Sequence, residues 1–133
     1  MLIEPSVDGF TRAYESGEPQ VVWTRLVADL ETPVSAFLKL SEGRANTILL
    51  ESVEGGAVRG RYSMIGFAPD LIFRAFGEAA EINRQAASDP ERFEPVPGRS
   101  LDALRGLIEE SKIALPAGLP PMSAGIFGYL GYD

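Results

Sequence analysis

The residues best suited by type to chemistry lie in two short runs, Glu51-Ser52 and Arg61-Tyr62-Ser63. The first closes an apolar segment that begins at Thr47. The second opens another that ends at Phe67, and Gly55, Gly56 and Gly60 lie between them. If the two segments pair as strands, a carboxylate, a guanidinium and hydroxyl groups gather at one end of an apolar sheet. That set suits a zwitterionic amino acid: Glu51 takes the ammonium, Arg61 or backbone N–H groups the carboxylate, and apolar side chains the rest. The plainer reading is a surface ion pair between Glu51 and Arg61, worth at most ~1 kcal/mol, with Ser52 ending a strand. Spacing alone favours the plainer reading, because such strand-end pairs are common.

Other motifs carry less. The Gly55, Gly56 and Gly60 pattern is neither GxGxxG before a helix nor GxxxxGK[ST], so it reads as a hairpin loop and not a phosphate cradle. Trp23 reads as core packing, and Glu109-Glu110 as the solvated face of a helix. There is no cysteine and no histidine in the 133 residues. Disulfides, thiolate metal sites, His-ligated zinc and the Ser-His-Asp triad are therefore excluded. The formal charge of -7 argues against a nucleic-acid surface, which needs clustered Lys and Arg. No apolar run reaches bilayer length, and Glu4 and Asp8 stand where a signal peptide has basic and then apolar residues. The expected location is the cytoplasm, with no membrane partner.

The elements that must position these groups follow from periodicity. Phe10, Ala13 and Tyr14 predict a helix over 8–15 with Asp8 as its cap and Gly17 as its stop. Residues 20–27, rich in β-branched and aromatic types, predict a strand. Thr32-Pro33 predicts a helix start, with Val34, Phe37 and Leu38 as its apolar stripe and Gly43 as its end. Strands are predicted over 47–52, 61–67 and 71–76, with Ala68-Pro69-Asp70 as a turn and Glu81-Ile82-Asn83 as a hairpin partner. Strands in succession joined by short turns indicate an antiparallel meander and no βαβ unit. Residues 85–99 read as loop. Ser100 is the expected cap of a helix carrying Leu101, Leu104, Leu107, Ile108 and Ile113 on one face, broken by Pro116, Pro120 and Pro121. The run 123–133 reads as an aromatic strand. Stopping there leaves an unpaired edge, so residues 1–133 are expected to be one region, incomplete at the C-terminal end.

The runs TPVSAFLKL, ILLESVEGGAVRGRYSMIGFAPDLIF and AGIFGYLGYD, in that order, resemble the N-terminal region of anthranilate synthase component I, a chorismate-utilising family. The resemblance spans nearly the whole chain. Aminodeoxychorismate synthase component I is the alternative within the family, and a stand-alone amino-acid-binding module the alternative outside it. A third reading is an interaction surface for an amidotransferase subunit. The resemblance implies an α+β fold of antiparallel, sandwich-like sheets with flanking helices. It implies conversion of chorismate to anthranilate and pyruvate with Mg²⁺, with ammonia from a glutamine amidotransferase subunit (component II). The catalytic and Mg²⁺ residues of that family belong to its C-terminal part, so the resemblance implies no catalytic or metal residue here and no activity for residues 1–133 alone. It does imply the feedback site for L-tryptophan. Glu51 and Ser52 match the family's LLES motif, and Arg61, Tyr62 and Ser63 lie alongside. Some relatives place a lysine near Tyr62, which leaves Arg61 or backbone N–H groups to meet the ligand carboxylate.

Overall fold

The computed structural model describes residues 2–51 and 62–132. Its class is α+β: three helices and seven short strands among the described residues, with every strand pair antiparallel. The strands form three separate small sheets.

The N-terminal sheet pairs β1 (Ile3–Glu4) with β2 (Trp23–Thr24), and the Thr24 hydroxyl donates to the Leu2 carbonyl at 2.7 Å. The strand expected over 20–27 is thus only two residues long, because β1 offers only two residues to pair with. Between them lies α1 (Val7–Glu15). Its cap is Ser6, whose side chain accepts from the Gly9 N–H, and not Asp8, which sits inside the first turn where a carboxylate favours the helix dipole. Phe10 and Tyr14 stack on each other with ring centroids 6.0 Å apart, yet both remain exposed.

The second helix, α2 (Pro33–Ser41), starts as its residues demand. Thr32 accepts from the Ser35 N–H, the Ser35 hydroxyl accepts from the Thr32 N–H, and Pro33 occupies a position that needs no donor. It ends two residues before Gly43, with Glu42 in the left-handed region. The helix lies against β3 (Ile48–Glu51) and β4 (Ser63–Gly66), which pair with each other as the second sheet. The connection carrying Gly55, Gly56 and Gly60 lies outside the described residues, as do Ser52 and Arg61.

The single meander expected from the sequence is divided. β4 does not pair with β5 (Ile72–Phe76), because Ala68 in the left-handed region and Pro69 without an N–H redirect the chain between them. A new sheet then runs β5, β6 (Ala79–Asn83), β7 (Glu94–Val96). Gly77, at φ 58°, supplies the first position of the two-residue β5–β6 turn. β7 falls inside the stretch expected to be loop; it is an edge strand, which is why Pro95 is tolerated there.

Helix α3 (Ser100–Glu110) packs on β5 and β6 and makes the core of the described structure, where Ala80, Ile82 and Leu107 are buried. Ser100 is not its cap. Arg99 holds that position without a side-chain capping bond, and the buried Ser100 hydroxyl instead donates to the Gly77 carbonyl at 2.8 Å. Asn83, fully buried, ties down the 85–92 segment: its amide nitrogen donates to the Asp89 carbonyl at 2.7 Å, and its amide oxygen accepts from the Gln85 N–H at 2.8 Å.

The closing run is no strand over its described part, residues 123–132. It finds no partner strand, and Tyr129 and Leu130 stand in solvent. Among the described residues several large apolar side chains are left uncovered, including Val27 and Leu30. No helix among the described residues is long and apolar enough to cross a membrane.

Candidate functional site

The pairing on which the site depends is present. β3 and β4 run antiparallel with Glu51 opposite Ser63, Leu50 opposite Met64, Leu49 opposite Ile65 and Ile48 opposite Gly66. Directly opposed residues share a face, so the Glu51 carboxylate and the Ser63 hydroxyl belong to the same side of the strand pair. Both are exposed. The close approach at the other end of the pair sets the register. A Cβ on Gly66 would stand 2.9 Å from the Ile48 Cγ1, so only glycine fits beside that isoleucine.

Beside β4 lies a groove of about 250 Å³. Tyr62, Ser63, Met64 and Ile65 form one wall, and residues between Pro120 and Phe127 form the other. That second wall is held by two contacts from distant sequence and local turn. Arg25 donates to the Gly118 carbonyl at 3.0 Å while its guanidinium sits 5.5 Å from the Trp23 ring, and the Ser123 hydroxyl donates to the Pro120 carbonyl at 2.8 Å. Trp23 thus supports the placement of a site wall.

Of the five residues expected at the site, three lie among the described residues. Tyr62 and Ser63 line the groove; Glu51 stands across the strand pair from Ser63, at the same end of the sheet. Ser52 and Arg61 lie outside the described residues. The wall formed by Pro120, Met122, Ser123 and Phe127 is the part that sequence reasoning missed. Pro120 reads as a helix breaker and Phe127 as part of a strand, and no spacing connects them with site residues 57 or more positions earlier.

The chain as a whole is similar to known proteins over most of its length. The chain is 53% identical over 128 residues to "Anthranilate synthase component 1" of Cereibacter sphaeroides, covering 96% of this chain and 26% of that protein. It is 38% identical over 134 residues to the protein of the same name from Synechocystis, covering 99% of this chain and 25% of that one. The chain is a relative of anthranilate synthase component 1. A third protein of that name, from Mycolicibacterium smegmatis, is 39% identical over 110 residues. The chain spans between a fifth and about a quarter of the length of these anthranilate synthase relatives. No family model and no solved structure matches it.

The anthranilate synthase resemblance implies that Mg²⁺ is held by polypeptide other than residues 1–133. Among the described residues no group of three or more His, Cys, Asp or Glu side chains converges to hold a metal ion. No chemical step is therefore assigned to a metal on this chain.

Proposed function

We propose that this chain is the regulatory portion of an anthranilate synthase component 1, a cytoplasmic lyase of tryptophan biosynthesis, and that the rim shared by β3 and β4 receives L-tryptophan. The parent reaction takes chorismate and ammonia to anthranilate, pyruvate and water, the ammonia coming from glutamine through a component II subunit. The observation that carries this reading is the 53% identity over 96% of the chain, together with the pairing of Glu51 with Ser63, a residue that lines a groove. The three relatives named above favour this reading over an aminodeoxychorismate synthase.

In this reading Glu51 accepts the ligand ammonium and Arg61 or backbone N–H groups meet its carboxylate. Ser52, Tyr62 and Ser63 form the wall around the side chain. Chorismate and Mg²⁺ are handled by polypeptide other than these residues. Large apolar side chains left exposed, Val27 and Leu30 among them, support that division, because another surface can cover them. Tryptophan wedged between the two parts favours a state of lower chorismate affinity, and a coupling of ~1–3 kcal/mol is enough for effective inhibition.

Two experiments test it. In the full-length protein Ser52→Phe fills the site and relieves tryptophan inhibition while the uninhibited rate stays within a factor of about two; unchanged sensitivity contradicts the site. Residues 1–133 alone, given chorismate, Mg²⁺ and ammonia, yield no anthranilate fluorescence; turnover overturns the assignment of catalysis elsewhere.

A further inference from the structure

A second recess, lined by none of the residues of β3 or β4, lies between α3 and the three-stranded sheet. It encloses about 280 Å³, with Ala103, Gly106 and Leu107 on the helix side and Phe73, Ile82 and Val96 on the sheet side. Gly106 is an exposed position of the helix on the rim of the recess, and a Cβ added there would meet open space, so the recess leaves room for a ligand side chain beside it.

Two charged residues complete the lining. Arg84 and Glu110 are joined by a fork of two bonds, Nη1 to Oε1 at 2.6 Å and Nη2 to Oε2 at 2.8 Å. Each side chain is about half exposed, so the pair stands where the recess opens to solvent. An exposed pair of this kind contributes little to stability and opens readily. We propose that this recess is a binding site for an apolar α-amino acid, distinct from the β3–β4 rim. The ligand carboxylate takes the planar fork of Arg84, the ligand ammonium takes the Glu110 carboxylate, and a branched aliphatic or phenyl side chain fills the space beside Gly106. Each charge exchanges one partner of opposite sign for another, so none is left unpaired. The rest of the lining is apolar and offers a polar side chain no partner, which sets the ligand class.

The test is a titration of the full chain with L-phenylalanine, read by amide chemical shifts. Phenethylamine (no carboxylate) and 3-phenylpropionate (no ammonium) serve as comparisons. Saturable shifts on α3 and β5–β7 are expected, with each comparison compound at least about tenfold weaker, as loss of one charge-assisted bond implies. Gly106→Leu abolishes the shifts, Arg84→Gln weakens binding about tenfold or more, and Glu51→Gln leaves it unchanged. No saturation below about 10 mM overturns the proposal. So does binding of both comparison compounds as tightly as L-phenylalanine, which marks an apolar hole only, and so does undiminished binding by Arg84→Gln.

Discussion

Gly66 lies directly opposite Ile48, and the space for its missing side chain is taken by the isoleucine's own Cγ1 and Cδ1. The same pairing, followed three residues along, puts Glu51 opposite Ser63. Because a slip of one residue would turn every side chain of a strand to the other face, the Ile48–Gly66 fit keeps the carboxylate and the hydroxyl together.

Enlarging Gly66 therefore disturbs the site from a distance. Gly66→Val is expected to lower stability by about 1–3 kcal/mol, as overpacking does. The double variant with Ile48→Ala should lose less than the two single losses combined. Urea denaturation of the four proteins measures the coupling, and strict additivity would show that the contact does not set the register.

The buried Asn83 amide makes a second sharp case. Asn83→Leu leaves the Gln85 N–H and the Asp89 carbonyl without these partners, and about 2–4 kcal/mol of stability should go with them. Hydrogen exchange at residues 85–92 should accelerate in this variant. Unchanged exchange there would mean that the segment holds itself.

The two bonds from Arg84 hold the Glu110 carboxyl below the usual glutamate range, and the same bonds raise Arg84. A lowered carboxylate contributes stability that is fully present above its unfolded value and is lost as pH falls through the folded value. The C-terminal turn of α3 should therefore lose exchange protection selectively as the solution is acidified through and below the ordinary glutamate range. Glu110→Gln should remove that pH response, and a response that survives the substitution would assign it to another group.

Gly106 can be filled without breaking the helix. Gly106→Ala is expected to raise stability by up to about 1 kcal/mol from helix propensity alone, measured by thermal unfolding. A loss would show that the recess is narrower than the structure has it.

Legibility in the sequence followed how local each signal was. The α2 start was readable because Thr32, Pro33 and Ser35 act within one turn. The β3 and β4 segments were readable because both are short apolar runs bounded by polar residues. Ser100 misled because its hydroxyl bonds a carbonyl 23 residues away, which no cap pattern reveals. Residues 20–27 and 123–132 have strand composition, but a strand exists only where a partner supplies hydrogen bonds, and composition does not say whether one does. The same holds for the site. Spacing alone favours a surface ion pair at the strand ends, and only the family resemblance makes Glu51, Tyr62 and Ser63 candidate site residues, whereas the Pro120–Phe127 wall and the Arg84–Glu110 fork depend on long-range folding.

The most direct measurement compares L-tryptophan with indole as ligands of the full-length protein and its Glu51→Gln variant, by isothermal titration. With Glu51 receiving the ammonium, the substitution weakens tryptophan about tenfold or more and leaves indole, which has no ammonium, unaffected. Equal affinity of wild type and variant for tryptophan, or an equal loss for both ligands, would contradict an amino-acid receptor at the ends of β3 and β4.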